Sequence, residues 1–165
     1  MIFLSDEDLD VRRLIERWLS ILPPEKQSSL SSWIDELLYR GLKLVSTFES
    51  VVETTLVGTL MNGLSQIRTA NSRQEFLVGL IRGFGSNISF PNRVTFAKEV
   101  FQWAAERPSD LGSPLDCYAD GTSFIAFPPP SRSSDREVVF ALSEIGDTAM
   151  VKTISVQRVL KVNYF

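Results

Sequence analysis

The sequence predicts a mainly α-helical protein: a five-helix bundle, then a short β-hairpin connector and a terminal helical turn. Three observations carry that reading. Apolar residues recur at helical spacing in five successive stretches up to about residue 108. Each stretch is bounded by a capping residue, a proline or a glycine. Beyond Pro108 the pattern breaks into short apolar runs between glycines and prolines, which reads as strands and turns. Residues 1–110 are therefore assigned to the helical subdomain and 111–165 to the connector.

Each element has its own justification. Ser5 ahead of Asp6, Glu7 and Asp8 marks a helix start, with carboxylates at the positive end of the helix dipole. Val11, Leu14, Ile15, Trp18, Leu19 and Leu22 then form one stripe, which Pro23-Pro24 ends. The second helix gathers Leu30, Trp33, Ile34, Leu37, Leu38, Leu42, Val45 and Phe48 on one face, and Asp35, Glu36, Arg40 and Lys43 on the other. The third runs from about Val52 to Ile67, with Leu56, Val57, Leu60, Met61 and Leu64 turned inward. Ser72-Arg73-Gln74-Glu75 opens the fourth as a capping box, in which hydroxyl and carboxylate each take a free backbone N–H. Phe76, Leu77, Leu80, Ile81 and Phe84 follow, and Gly83 and Gly85 stop the helix. The fifth starts near Asn92 and aligns Phe96, Ala97, Val100, Phe101 and Ala104. Beyond it, Gly112, Pro114, Asp120 and Gly121 mark a loop, Phe124–Phe127 is a short apolar run, and Pro128–Ser134 is a second loop. Strands are expected at Glu137–Leu142 and Ala149–Ile154, joined by a Gly146-Asp147 turn, with a last helical turn after a Ser155 cap.

Composition excludes more chemistry than it suggests. The 165 residues are 44% hydrophobic and 22% charged, enough for one core and too apolar for general disorder. A net charge of -3 gives no electrostatic basis for holding nucleic acid or an anionic membrane. With no histidine, a serine-histidine or cysteine-histidine nucleophile cannot be assembled within the chain. Cys117 is the single cysteine, which excludes an internal disulfide and argues against a structural zinc site. No apolar run approaches the ~20 residues of a membrane-spanning helix.

The individual candidate sites read as structural. No glycine-rich turn leads into Gly-Lys-Ser/Thr, so there is no phosphate loop. Gly79, Gly83 and Gly85 lack the dinucleotide fingerprint spacing and read as helix termination. Asp6, Glu7 and Asp8 read as dipole partners rather than metal ligands, and Asp35/Glu36 and Glu99/Glu106 as solvated. Trp18, Trp33 and Trp103 lie on or beside apolar stripes. Arg82 and Arg93 flank the turn after the fourth helix, within reach of an anion, yet read as surface arginines. No catalytic set and no metal site emerge.

Four segments carry a resemblance: Ile2–Leu9, Val52–Leu64, Glu75–Gly83 and Phe96–Trp103. Together they resemble dynein heavy chains, and among these the cytoplasmic type 2 form, the retrograde motor of intraflagellar transport. The similarity is to the small helical lid subdomain of the second AAA+ module. It is good over roughly residues 1–120 and looser over the connector toward the third module. It implies an excised piece of a longer chain, which fits the apolar ends at Ile2–Leu4 and Val162–Phe165. Phosphate-binding lysine, magnesium carboxylate and catalytic acid would all lie outside it, on the large subdomain that holds ATP or ADP with magnesium. The fragment itself is then expected not to be an enzyme, although its parent is an ATP-hydrolysing motor. Hydrolysing modules place a sensor arginine at the start of the third lid helix. Here that place reads Glu53-Thr54-Thr55, which implies a module that holds nucleotide without turning it over. Peripheral nucleotide contacts are expected at Thr54 and Thr55, at a helix start where free N–H groups favour an anion. The implied partners are adjacent AAA+ subdomains, microtubules and other dynein subunits, in cytoplasm and cilium, with no nucleic acid and no membrane. The alternative is a free-standing helical adaptor that binds peptides in a groove between helices.

Overall fold

The computed structural model describes residues 10–106 and 117–126. The expectations for Ser5–Asp8, for the Pro128–Ser134 loop, for strands at 137–142 and 149–154 and for the Ser155 helix lie outside the described residues. The elements are α1 (Val11–Ser20), α2 (Pro24–Trp33), a π-helical turn (Ile34–Leu38), α3 (Tyr39–Val45), α4 (Leu56–Ile67), α5 (Arg73–Gly85), α6 (Phe90–Trp103), β1 (Cys117–Asp120) and β2 (Ser123–Ala126). α2, the π-turn and α3 run on without a break, so the described residues hold five helical rods and one hairpin.

Asp10 has non-helical backbone, and its carboxylate accepts the Arg13 N–H at 3.1 Å, so Asp10 caps α1. Aspartate caps as well as serine does, and Asp10 directly precedes the first residue of the apolar stripe. Ile15, Trp18 and Leu22 of that stripe are buried. Of the two prolines, Pro24 opens α2 at a position where a missing N–H costs nothing. The π-turn turns Ile34, Leu37 and Leu38 into the core together. Side-chain spacing alone reads this rod as one α-helix.

α4 begins at Leu56 rather than Val52, after an extended stretch ending in Thr55. Met61, expected inward, is 47% exposed, whereas Gly63 and Ile67 face the core. The reason lies in α5. A Cβ placed on Gly83 would sit 2.7 Å from the Gly63 Cα, and one on Gly63 would sit 2.2 Å from Phe84 Cε1. One on Gly79 would meet the Gln66 carbonyl oxygen at 2.8 Å. Gly79 and Gly83 thus do not terminate α5. They let its backbone touch that of α4, and the helix runs on through Gly85.

The capping box forms with one displacement. Ser72 Oγ accepts the Glu75 N–H at 3.1 Å, and the Glu75 carboxylate accepts the N–H of Asn71, one residue before the cap, at 2.8 Å. Phe76, Phe84 and Phe96 are fully buried, and Phe84 packs at 6.3 Å from Phe96. Trp18 is buried, while Trp33 and Trp103 pack partly buried against the core. The Arg40 guanidinium stacks 4.1 Å from the Trp103 ring centre.

Glu36 is not simply solvated. Arg73 grips its carboxylate with two hydrogen bonds of 2.6 and 2.7 Å and also reaches the Ala104 carbonyl at 3.4 Å. Gln74 likewise donates to Glu106 at 3.0 Å. These contacts tie the π-turn, the start of α5 and the end of α6 together.

The hairpin appears where a loop and a short apolar run were expected. β1 and β2 pair antiparallel from Cys117↔Ala126 to Asp120↔Ser123. Gly121 alone of the two loop residues takes a positive φ, +57°, the pattern of a II′ turn. Two strands alone are marginal in water, and α5 supplies the missing support. Cys117 and Ala119 are buried, Arg82 donates to the Cys117 carbonyl at 3.3 Å, and Ser72 Oγ donates to the Gly121 carbonyl. Phe124 meets Phe101 edge-on at 5.3 Å.

Two predictions follow from this packing. Gly63→Ala and Gly83→Ala should each destabilise by about 1–3 kcal/mol or more through overpacking. Gly85→Ala meets only the Arg93 Cγ at 3.6 Å, so it should be neutral or stabilise by up to ~1 kcal/mol. Urea titration of the three variants checks the ranking. The hydrogen bonds from Arg73, opposed by burial and aided by its charge, hold the Glu36 carboxyl below its ordinary value. The contribution of the pair is therefore complete above the ordinary glutamate value of about 4.3 and lost as pH falls through the lower, folded-state value. Both partners are partly exposed, so Glu36→Gln should cost at most about 1 kcal/mol at neutral pH. Unfolding midpoints of variant and parent should converge in acid.

Candidate functional site

Thr55 is the N-cap of α4. Its backbone is extended, and its Oγ1 accepts the Gly58 N–H at 3.0 Å. A Cβ on Gly58 would lie 2.7 Å from Thr54 Oγ1, so both threonine hydroxyls gather over the first turn of α4. Both residues are exposed. They border a cleft of about 420 Å³ between the end of α3, the start of α4 and the end of α5. Its apolar floor includes Val45, Phe84 and Ile88, all buried. Thr59, Asn62 and Asn87 join Thr54 and Thr55 on the polar side, and Glu53 is the one charged residue of the lining.

That lining defines what the cleft can do. Its hydroxyls and side-chain amides can hydrogen-bond a polar or anionic group. No lysine or arginine lines it, so it offers no counter-charge for a polyphosphate.

The two arginines beside this region serve the fold. Arg82 is half-buried beneath the hairpin, and burial lowers its pKa. Arg93 donates to the Ile88 carbonyl at 2.9 Å and to the Ser86 carbonyl at 3.2 Å, closing the end of α5. Neither is a solvated surface arginine, and neither lines the cleft. Among the described residues no group of three histidine, cysteine, aspartate or glutamate side chains could hold a metal ion, and no helix is long and apolar enough to cross a membrane.

Sequence reasoning did not find Asn87. Its Oδ1 accepts the Val52 N–H at 2.9 Å, its Nδ2 donates to the Val52 carbonyl at 2.7 Å, and its own carbonyl accepts the Val51 N–H at 2.9 Å. An asparagine after a helix signals a turn, but nothing in the sequence states what its amide holds.

The family model for the AAA+ ATPase domain of cytoplasmic dynein 2 heavy chain 1 matches residues 10–104. The chain belongs to the cytoplasmic dynein 2 heavy chain family. The human cytoplasmic dynein 2 heavy chain 1 is 46% identical over 123 residues, which are 74% of this chain and 3% of that protein. The protein of the same name from Tripneustes gratilla is 37% identical over 161 residues, 97% of this chain and 4% of its own length. The one from Chlamydomonas reinhardtii is 32% identical over 109 residues, 64% of this chain and 2% of its own. The chain thus spans a few per cent of the length of these dynein 2 relatives. The dynein 2 match runs from the cap of α1 to the cap that ends α6. All five rods and the cleft fall inside it, and the hairpin lies beyond it.

As the cap of α4, Thr55 should matter for stability whatever the cleft binds. Thr55→Ala should cost about 0.5–2 kcal/mol, and Thr55→Ser should restore most of it. Chemical denaturation of both variants measures the difference.

Proposed function

We propose that this chain is the lid subdomain of the second AAA+ module of a dynein motor ring. The observation that carries the reading is the family match over residues 10–104, which covers all five rods. In this role the bundle closes over nucleotide held by a preceding large subdomain, packs against the next module and passes rigid-body movement around the ring. The α4–α5 backbone contact and the Glu36–Arg73 clamp support it, since mechanical coupling needs stiff bodies with discrete arrangements. The parent would be a minus-end-directed, ATP-hydrolysing microtubule motor of the cilium, assembled with other dynein subunits. ATP or ADP with magnesium would take its phosphate affinity from backbone N–H groups, a lysine and the metal on the large subdomain. The lid adds a peripheral contact from the cleft at Thr54 and Thr55. The stretch Glu53-Thr54-Thr55, with no arginine where a sensor arginine would stand, fits a module that retains nucleotide.

Two measurements test this. Titration calorimetry of the chain alone with magnesium-ATP should show no micromolar binding and no turnover, and either one would sink the lid assignment. In a full-length heavy chain, Thr55→Glu sets a carboxylate against the bound anion. It should weaken nucleotide protection of residues 53–60 in hydrogen exchange, and an unchanged profile would remove Thr55 from the site.

A further inference from the structure

The stretch 51–55 that leads into α4 is held in an unusual way. Val51 and Val52 are 67% and 66% exposed, so burial does not fix it. Hydrogen bonds do. The Asn87 side chain takes both the N–H and the C=O of Val52, and its backbone carbonyl takes the Val51 N–H. Ser50 pairs with Ile88 next to it in an isolated antiparallel bridge. The turn that carries Asn87 is itself held by Arg93, through the Ser86 and Ile88 carbonyls. A short amide offering donor and acceptor side by side is what this clamp requires. Aspartate would keep only the acceptor, and alanine neither.

We propose that Asn87 is a positioning residue for the cleft: its amide sets the path of residues 51–55 and so holds Thr54 and Thr55 where a nucleotide meets them. The inference rests on the reading of Thr54 and Thr55 as nucleotide contacts. Val52 is two residues from Thr54, and Val52, Thr54, Thr55 and Asn87 all line the same cleft. Releasing Val52 therefore displaces the threonines, and small displacements of contacting groups are costly. Through Asn87, movement of the α5–α6 turn is also passed to the start of α4.

The test uses the full-length heavy chain and hydrogen exchange of residues 53–60, titrated with magnesium-ADP. The nearly isosteric Asn87→Asp should raise the half-saturating concentration about tenfold, the weight of one lost hydrogen bond, and Asn87→Ala, which loses two, by at least as much. Exchange of residues 74–84 in α5 should stay at the parent level, which separates positioning from general loosening. In a Thr55→Ala background, Asn87→Ala should add little, because both act through one contact. If Thr55→Glu weakens protection while both Asn87 variants bind as the parent does, the threonine site stands and the positioning role falls. Full additivity with Thr55→Ala, or loosening of α5 in the near-isosteric variant as well, overturns it too. If Thr55→Glu has no effect, both readings fall together.

Discussion

The contact on which the rest of this bundle depends is backbone against backbone, where Gly63 of α4 meets Gly83 of α5. With no Cβ on either side, the two rods approach more closely than ridge-and-groove packing of side chains permits. Phe84, the next residue, then lies across Gly63, against Gly41 of α3 and beside Phe96 of α6. One ring, seated in the space that two glycines leave open, joins four rods. A methyl group at Gly63 would take the space of that ring, so the position tolerates no ordinary side chain.

The seam also makes the site. Gly83 and Phe84 form part of the wall of the cleft that Thr54 and Thr55 border, so close approach of α4 and α5 sets its depth. Polar contacts then secure both ends of α5. At its start, Ser72 and Glu75 take backbone N–H groups while Arg73 holds Glu36 and the end of α6. At its finish, Arg93 closes the turn, and Asn87 holds the approach to α4. Apolar packing gives this body its cohesion, and a few directed hydrogen bonds at the helix ends give it a defined shape.

In the proposed reading this body is one subdomain of a larger ring. Its cleft is neutral apart from Glu53 and is built of hydroxyls, amides and an apolar floor. In the proposed role it would complete a site whose strong phosphate ligands come from elsewhere. The chain belongs to the dynein 2 heavy chain family and spans a few per cent of the length of these relatives.

Much of this was legible in the one-dimensional pattern. Helical periodicity located all five rods, because an amphipathic stripe must be written in order along the chain to face a core. The Ser72 cap, and Thr55 at a helix start, could be read because a helix end has local needs that neighbouring residues meet. Other features had no local signature. The π-turn left the stripe unbroken. Gly79 and Gly83 looked like stops because glycine has the same letter whether it ends a helix or admits another backbone. Met61 looked inward because its spacing fits, but the close approach at Gly63 set which side of α4 faces the core. The Glu36–Arg73 clamp spans 37 positions and the Asn87–Val52 clamp 35, distances across which local sequence carries no pairing information. The sequence by itself determined which segments are helical and which of their faces are apolar, because those depend on near neighbours. Only the tertiary structure decided how closely the rods approach, which polar groups meet and where a cleft opens, because those depend on residues that only folding brings together.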